Sequence, residues 1–243
     1  MYSYEKAYEC LQAALSIKLE HMDQTDDISL CDIYAQLETL CRTSQRFADA
    51  LHWAEEMLKE YQKTDSKEYF CGTYNLISLN FCGMMRDRSL PMSERVGYFY
   101  KSYEAACESE RWSNKNQLTV VVNRASIVFE AAEQMPQARQ LVDEHVKILE
   151  KMLSIQGDSG VRSTYLCETL AEGYILVDDW VGLKKLTVEH GLQLKQGFNK
   201  DLHLLYLGSE DKVKAMKDLM KVFVNEVYGG DSSKALTSFL QMN

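Results

Sequence analysis

Residues 34–57, YAQLETLCRTSQRFADALHWAEEM, hold two apolar patterns in succession. The first pattern places residues three, four and seven positions after Tyr34, and the second advances from Phe47 in steps of three, four and three. Spacings of three and four put side chains on one face of an α-helix. The two patterns are Tyr34, Leu37, Glu38 and Cys41, then Phe47, Ala50, Ala54 and Met57. The stretch therefore predicts two consecutive helices, each with one buried face, whose patterns begin 13 residues apart.

Both patterns recur along the chain. The first returns at Tyr74, Ile77, Ser78 and Phe81, at Val122, Ala125, Ser126 and Phe129, and at Cys167, Leu170, Ala171 and Tyr174. The second returns at Val96, Phe99, Tyr103 and Ala106, at Met135, Ala138, Val142 and His145, and at Trp180, Leu183, Thr187 and His190; it also occurs at Tyr4, Ala7, Leu11 and Ala14. Three of the four pairs keep the 13-residue step, and the pair beginning at Tyr74 has nine extra residues around RDRSLPMSE, residues 86–94. This regularity predicts repeated two-helix units with one surface-loop insertion.

The paired patterns, with strings such as SQRFADALHWAEEML (44–58) and LAEGYILVDDWVGLKKL (170–186), resemble tetratricopeptide repeats, especially the longer-period repeats similar to those of kinesin light chain. The resemblance covers residues 1–195. The turn glycine of the family is replaced by Gln45, Glu133 and Asp178, and the proline that follows each repeat is absent. The resemblance implies an all-α fold, a right-handed α-solenoid of antiparallel helix pairs. An ordinary helical bundle with similar spacing is the alternative.

The two ends of the chain differ from the repeats between them. At the N-terminus, the helix predicted in SYEKAYECLQAALSI (3–17) corresponds to the second half of a unit, so the first repeat is expected to be only half present. We expect its free face to be covered by a second copy of the chain, by the RDRSLPMSE loop or by residues upstream in a longer protein, with a homodimer favoured. Residues 196–243 are expected to form helices that cap the array, with an N-cap at Ser209 and a stop at Gly229 and Gly230.

Composition limits the classes of partner. The chain has 243 residues, of which 46% are hydrophobic, and a formal net charge of −9 with a pI near 5.1. Binding to phosphates needs a basic surface that displaces counterions, so this charge argues against nucleic acids and anionic membranes as partners. No apolar run reaches the roughly 18 to 20 residues that span a bilayer, and the N-terminus lacks a signal-peptide layout, so a cytoplasmic location is expected.

No set of side chains points to catalysis, a metal or a cofactor. The seven cysteines are scattered and never closer than ten residues, which indicates reduced thiols in the core rather than disulfides or a zinc site. The histidines form no HExxH motif, and His145 and His190 occupy packing faces. Glycine spacing offers no phosphate loop, and acidic pairs lie at turns or polar faces. We therefore expect no enzyme activity, no metal and no cofactor.

The resemblance implies that the first helix of each repeat lines a concave groove. Side chains one and five positions after its leading residue would face that groove: Ala35, Thr39, Asn75, Leu79, Asn123, Ile127, Glu168 and Glu172. Asn75 and Asn123 occupy equivalent positions, and an amide side chain can bracket the backbone of an extended peptide. The alternative, that both asparagines only satisfy neighbouring helix backbones, stays open. Glu130, Glu168 and Glu172 favour basic groups at one end of the groove.

These features predict a non-catalytic scaffold that binds a protein or an extended peptide. The alternative function is a ligand- or peptide-sensing regulatory domain, resembling the peptide-receiving repeats of bacterial signalling regulators. A sensor would change its small-angle scattering radius when a short peptide binds, whereas a rigid scaffold would not.

Overall fold

The computed structural model describes residues 4–21, 29–113, 117–156 and 161–177, together with 179, 181–183, 185 and 186. Within these ranges every regular element is helical, so the predicted all-α class is confirmed. The helices are α1 (Tyr4–Glu20), α2 (Leu30–Thr43), α3 (Phe47–Lys63), α4 (Phe70–Met85), α5 (Met92–Arg111), α6 (Gln117–Ala132), α7 (Pro136–Arg139), α8 (Val142–Gln156) and α9 (Val161–Leu176), with a 3-10 turn at Lys67–Tyr69. The predicted capping helices in 196–243, and Trp180, Thr187 and His190, lie outside the described residues.

The chain divides into two compact units, Met1–Ala131 and Ala132–Asn243. In the first unit, consecutive helices contact one another in chain order, from α1 with α2 to α4 with α5. The faces predicted from the sequence are largely buried, including Leu37, Cys41, Ala50, Ala54, Met57, Ile77, Phe99, Ala106, Val122, Ala125 and Phe129. On α3 to α6, six other members of those faces are half-buried: Phe47, Tyr74, Phe81, Val96, Tyr103 and Ser126. Local periodicity therefore predicted the core of this unit.

Helix α2 begins at a capping box and ends at a tight turn. Ser29 Oγ accepts a hydrogen bond from the backbone nitrogen of Asp32 at 3.1 Å, and the Ser29 backbone nitrogen donates to Asp32 Oδ2 at 3.2 Å. At the other end, Gln45 has a φ of 61°, in the left-handed region that glycine adopts most easily. The α2–α3 turn therefore keeps, with glutamine, the backbone conformation of the glycine that the resemblance implies at this position.

Polar contacts to backbone oxygens join α4 and α5 along their length. Ser109 Oγ donates to the Cys71 carbonyl at 2.7 Å, near the start of α4 and the end of α5. Midway, Ser78 Oγ and Ser102 Oγ each donate to the carbonyl of the other residue at 2.8 Å. At the far end, Arg95 Nε donates to the Met85 carbonyl at 2.8 Å. Because the start of one helix meets the end of the other, α4 and α5 run in opposite directions, and the small serine side chains let them approach closely.

A second close approach holds α3 against α4. The ring of Phe47, the first residue of α3, lies directly on Gly83 of α4: a Cβ added at Gly83 would lie only 2.5 Å from Phe47 Cγ. Farther along, Ala54, Ile77 and Ala105 belong to one buried cluster, so α3, α4 and α5 share a core.

Helix α1 lies on α2 with a face slightly different from the predicted one. Tyr4, Ala7 and Leu11 are half-buried as expected, but Ala14 is exposed, and its neighbour Leu15 packs against the cluster of Leu30, Cys31, Tyr34 and Met57 instead. The buried face of α1 is therefore shifted by one residue from the predicted face in this part of the helix. Its start is held by Arg46, whose guanidinium lies 5.5 Å from the ring centroid of Tyr4 and 4.8 Å from that of Tyr8.

The second unit departs from the prediction at its first helix. The face Met135, Ala138, Val142 and His145 is buried as expected, but it does not lie on one continuous helix. Met135 precedes the four-residue α7, and a turn at residues 140–141 separates α7 from α8. In the same unit α8 contacts α9, where Cys167, Leu170, Ala171 and Tyr174 are buried and Tyr174 OH donates to Glu150 Oε1 at 2.9 Å.

Candidate functional site

The two asparagines predicted to line the groove contact each other. Asn123 Nδ2 on α6 donates to Asn75 Oδ1 on α4 at 2.9 Å, and both side chains are half-buried. Each residue directly follows the leading residue of its helix pattern, Val122 and Tyr74 respectively. The structure therefore brings together two residues that the sequence related only by equivalent position, 48 residues apart.

A second pair of equivalent residues joins the same two helices. Cys82 and Glu130 are also 48 residues apart, and Cys82 Sγ lies 3.7 Å from Glu130 Oε2. Burial, together with the neighbouring Glu130 carboxylate, raises the pKa of Cys82 to about 12, so its thiol stays protonated. Helices α4 and α6 therefore lie side by side with their patterns in step.

Glu130 is held by an arginine that the sequence patterns did not indicate. Arg86 Nε and Nη2 donate to the two carboxylate oxygens of Glu130 at 2.5 and 2.7 Å, a bidentate pair. This pair raises the pKa of Arg86 above its usual range. A basic partner at Glu130, as the sequence suggested, would therefore have to displace Arg86.

A buried polar cluster links α2 to α4. Glu38 is fully buried, and its Oε1 accepts from Arg42 Nε at 2.9 Å and from Asn80 Nδ2 at 3.0 Å. Thr39 Oγ1 lies 3.4 Å from the other carboxylate oxygen. The sequence pattern placed Glu38 on a packing face but gave no sign of its partner Asn80, which lies 42 residues away. This buried carboxylate is therefore paired and serves as a fixed contact between α2 and α4.

The other predicted groove residues divide into exposed and buried ones. In the first unit Thr39 is exposed and Leu79 half-buried, so both offer surface to a partner. Ile127 is only 2% exposed, so its prediction as a binding residue is wrong here: its side chain belongs to the core. Ala35 packs against the cluster that includes Leu30 and Tyr34. In the second unit, Glu168 and Glu172 are half-buried on α9.

An open cavity with a volume of about 680 Å³ lies beside the turns of the first unit. The α2–α3 turn forms one wall, and the end of α4 with the α4–α5 loop forms another. Three arginines line it: Arg46 pairs with Asp49, Arg86 pairs with Glu130, and Arg88 has no ion-pair partner among the described residues. The cavity thus carries one guanidinium that no carboxylate of the described chain neutralises.

Metal clusters, membrane-spanning helices and the cysteines were further subjects of the sequence predictions. The described residues contain no group of three or more histidine, cysteine, aspartate or glutamate side chains placed to hold a metal ion. None of the helices in the described ranges has the length and apolar character needed to cross a membrane. All seven cysteines are free thiols, and Cys10 is exposed rather than in the core as predicted.

Comparison of the chain with protein-family models, with curated proteins and with solved structures gave no match.

Proposed function

We propose that this protein is a non-catalytic scaffold that binds an extended peptide or protein segment in the concave groove of a right-handed solenoid of antiparallel helix pairs, resembling tetratricopeptide repeats. The supporting observation is the step of 48 residues that recurs between α4 and α6. Asn75 meets Asn123, and Cys82 meets Glu130, each pair at equivalent positions of successive first helices. Stacking in step is the arrangement by which repeats build a continuous groove.

The chemistry of the asparagine pair suits a peptide backbone. Asn123 fixes the orientation of the Asn75 amide by donating to its oxygen, and Asn75 Nδ2 has no acceptor among the described residues. A fixed amide nitrogen four residues before the half-buried Leu79 on the same helix offers a donor to a peptide carbonyl and apolar contact to a side chain. Ordering such a side chain in advance reduces the entropy lost on binding.

The charge of the protein suggests the chemistry of the partner. A net charge of −9 favours a basic segment over nucleic acid. Glu168 and Glu172 of the second unit are the carboxylates we propose for such a segment, and Glu130 is left out because Arg86 already neutralises it. We further propose a cytoplasmic location, and self-association through α1, whose Ile17 and Leu19 are 55% and 53% exposed.

The test is a double substitution, Asn75→Ala with Asn123→Ala, assayed against a peptide selected on the wild-type protein from a random-peptide display library. Loss of the hydrogen bond from Asn75 to the peptide, worth about 0.5 to 1.5 kcal/mol, should weaken the Kd by about 2- to 13-fold with little change in Tm. Asn80→Ala is the matched control, because Asn80 is a buried asparagine of the same helix that holds Glu38. It should lower Tm and leave the Kd nearly unchanged. A double variant that loses thermal stability and keeps its affinity would remove both asparagines from the site.

A further inference from the structure

The α4–α5 loop, residues 86–91, is the part of the repeat pattern that packing does not explain. It lies within the nine residues by which this repeat exceeds the others. Arg86, Asp87, Arg88 and Ser89 are all exposed. A loop that adds no core contact at these positions is free to carry a surface function.

The sequence of this loop, RDRSLP, places Ser89 after two arginines and before an apolar residue. Arg86 stands three positions before Ser89, Arg88 one position before it, and Leu90 one position after. Guanidinium groups form strong, directional hydrogen bonds with carboxylates. The two arginines beside Ser89 therefore suit an enzyme cleft lined with acidic side chains. An exposed hydroxyl between these groups has the features of a phosphate acceptor.

We propose that Ser89 is a phosphorylation site for a serine kinase with an acidic substrate cleft. The γ-phosphoryl group of ATP is transferred to Ser89 Oγ, the hydroxyl proton is released, and ADP leaves. The bond between the β,γ-bridging oxygen of ATP and the γ-phosphorus breaks as the bond between Ser89 Oγ and that phosphorus forms. The transfer needs no oxidant or reductant.

In the unmodified protein, both Ser89 and Arg86 are held by neighbouring carboxylates. Ser89 Oγ donates to Asp87 Oδ1 at 2.6 Å, and Arg86 is held by Glu130. The Ser89–Asp87 hydrogen bond joins two exposed residues, where such a contact contributes little and opens readily, whereas Arg86 is held by two charge-assisted hydrogen bonds to Glu130. A kinase that binds Arg86 must compete with Glu130, so the Arg86–Glu130 pair limits the rate of phosphorylation.

A phosphate at Ser89 would change these same contacts. Phosphoserine carries a charge of about −1.5 to −2 and no longer donates a hydroxyl hydrogen, so it loses the bond to Asp87 and is repelled by that carboxylate. Arg88, which has no ion-pair partner among the described residues, is the adjacent guanidinium that can pair with it. Phosphorylation therefore rearranges the loop that forms one wall of the cavity.

The experiment incubates the full chain with ATP and the catalytic subunit of cAMP-dependent protein kinase, a basophilic enzyme, and follows mass gain and site by mass spectrometry. One phosphate per chain is expected on Ser89, and Ser89→Ala should lose it. Ser93→Ala is the matched control, because Ser93 is exposed four residues later without an arginine three positions before it. Ser93→Ala should be labelled at the wild-type rate.

Two further variants test the restraint. Arg86→Ala should slow the initial rate about tenfold or more, since it removes a charge-assisted contact to the kinase. Glu130→Gln should raise the initial rate of phosphorylation severalfold by releasing Arg86. A rate no higher than that of the wild type would show that the Arg86–Glu130 pair does not limit phosphorylation. An unlabelled wild-type chain, or equal labelling of Ser89→Ala, would overturn the site itself. Melting curves for each variant confirm that the change in rate does not come from unfolding.

Discussion

Replacing Gly83 with alanine tests whether Phe47 packs on the backbone of α4. In most exposed helical positions this change stabilises, because alanine is about 1 kcal/mol better than glycine in a helix interior. At Gly83 the new methyl group would lie 2.5 Å from Phe47 Cγ, well inside van der Waals contact. Because Cγ joins the ring to the chain, rotation of the ring alone does not relieve the clash, and α3 or the whole side chain must shift.

Two opposing effects set the size of the change. Overpacking in a filled site costs about 1 to 3 kcal/mol. Gly97→Ala is the matched control, because Gly97 lies within α5 and an added Cβ there meets nothing within 4 Å. Subtracting the two variants cancels the helix-propensity gain and leaves the clash, so Gly83→Ala should be about 1 to 3 kcal/mol less stable than Gly97→Ala.

The assay is urea denaturation of the full chain followed by circular dichroism, comparing the free energies of unfolding of the two variants. Phe47→Ala should be made in both backgrounds, since it removes the ring that the new methyl group meets. The cost of Gly83→Ala should then shrink, which gives a coupling energy between the two positions. Equal stability of Gly83→Ala and Gly97→Ala would refute the packing of Phe47 on α4.

Two further predictions concern backbone strain and pH. Gln45→Gly should stabilise the protein by about 0.5 to 1 kcal/mol, because glycine adopts the left-handed backbone of Gln45 without strain. The control, Gln36→Gly in the exposed middle of α2, should destabilise the protein by about as much. Denaturant midpoints measure both changes, and a Gln45→Gly variant less stable than the wild type would contradict the turn geometry. Burial, with a smaller effect of Cys31, raises the pKa of Tyr61 to about 12. The neutral phenol is therefore favoured in the folded state, so its stabilisation is complete below pH 10 and is lost as the pH rises toward 12. Unfolding free energies at pH 9 and 11 should differ less in Tyr61→Phe than in the wild type, and an equal difference would count against the shift.

The sequence predicted the helices and their buried faces because burial on a helix follows local periodicity. Leu37, Ala54 and Val122 are buried where spacing placed them. The same periodicity missed the interruption between α7 and α8, because Ala138 and Val142 stay buried on either side of the turn. A pattern of buried positions does not distinguish one straight helix from two short ones whose faces point the same way.

The sequence pattern related residues of the candidate site to one another only where they hold equivalent positions in successive first helices of the pattern. Asn75 and Asn123 hold such positions, and the structure shows that these two side chains contact each other, which the pattern had not predicted. The pairs formed by Arg86 with Glu130 and by Glu38 with Asn80 join residues 44 and 42 positions apart, which match no repeat step. Their contact depends on the distance and tilt between helices, which the sequence pattern does not contain. The burial of Ile127 has the same origin.

The contacts between α4 and α5 recur at every seventh residue on both helices, at Cys71, Ser78 and Met85 opposite Ser109, Ser102 and Arg95. Equal spacing alone would allow the helices to slide by one heptad, about 10 Å, and pair again. In that slipped register Ser102 would still find a carbonyl near Cys71, but Arg95 would be forced beside Ser78, where the helices approach too closely for a long side chain. Arg95 therefore opposes a slip of this pair in that direction, much as a single polar residue helps to set the register of a coiled coil.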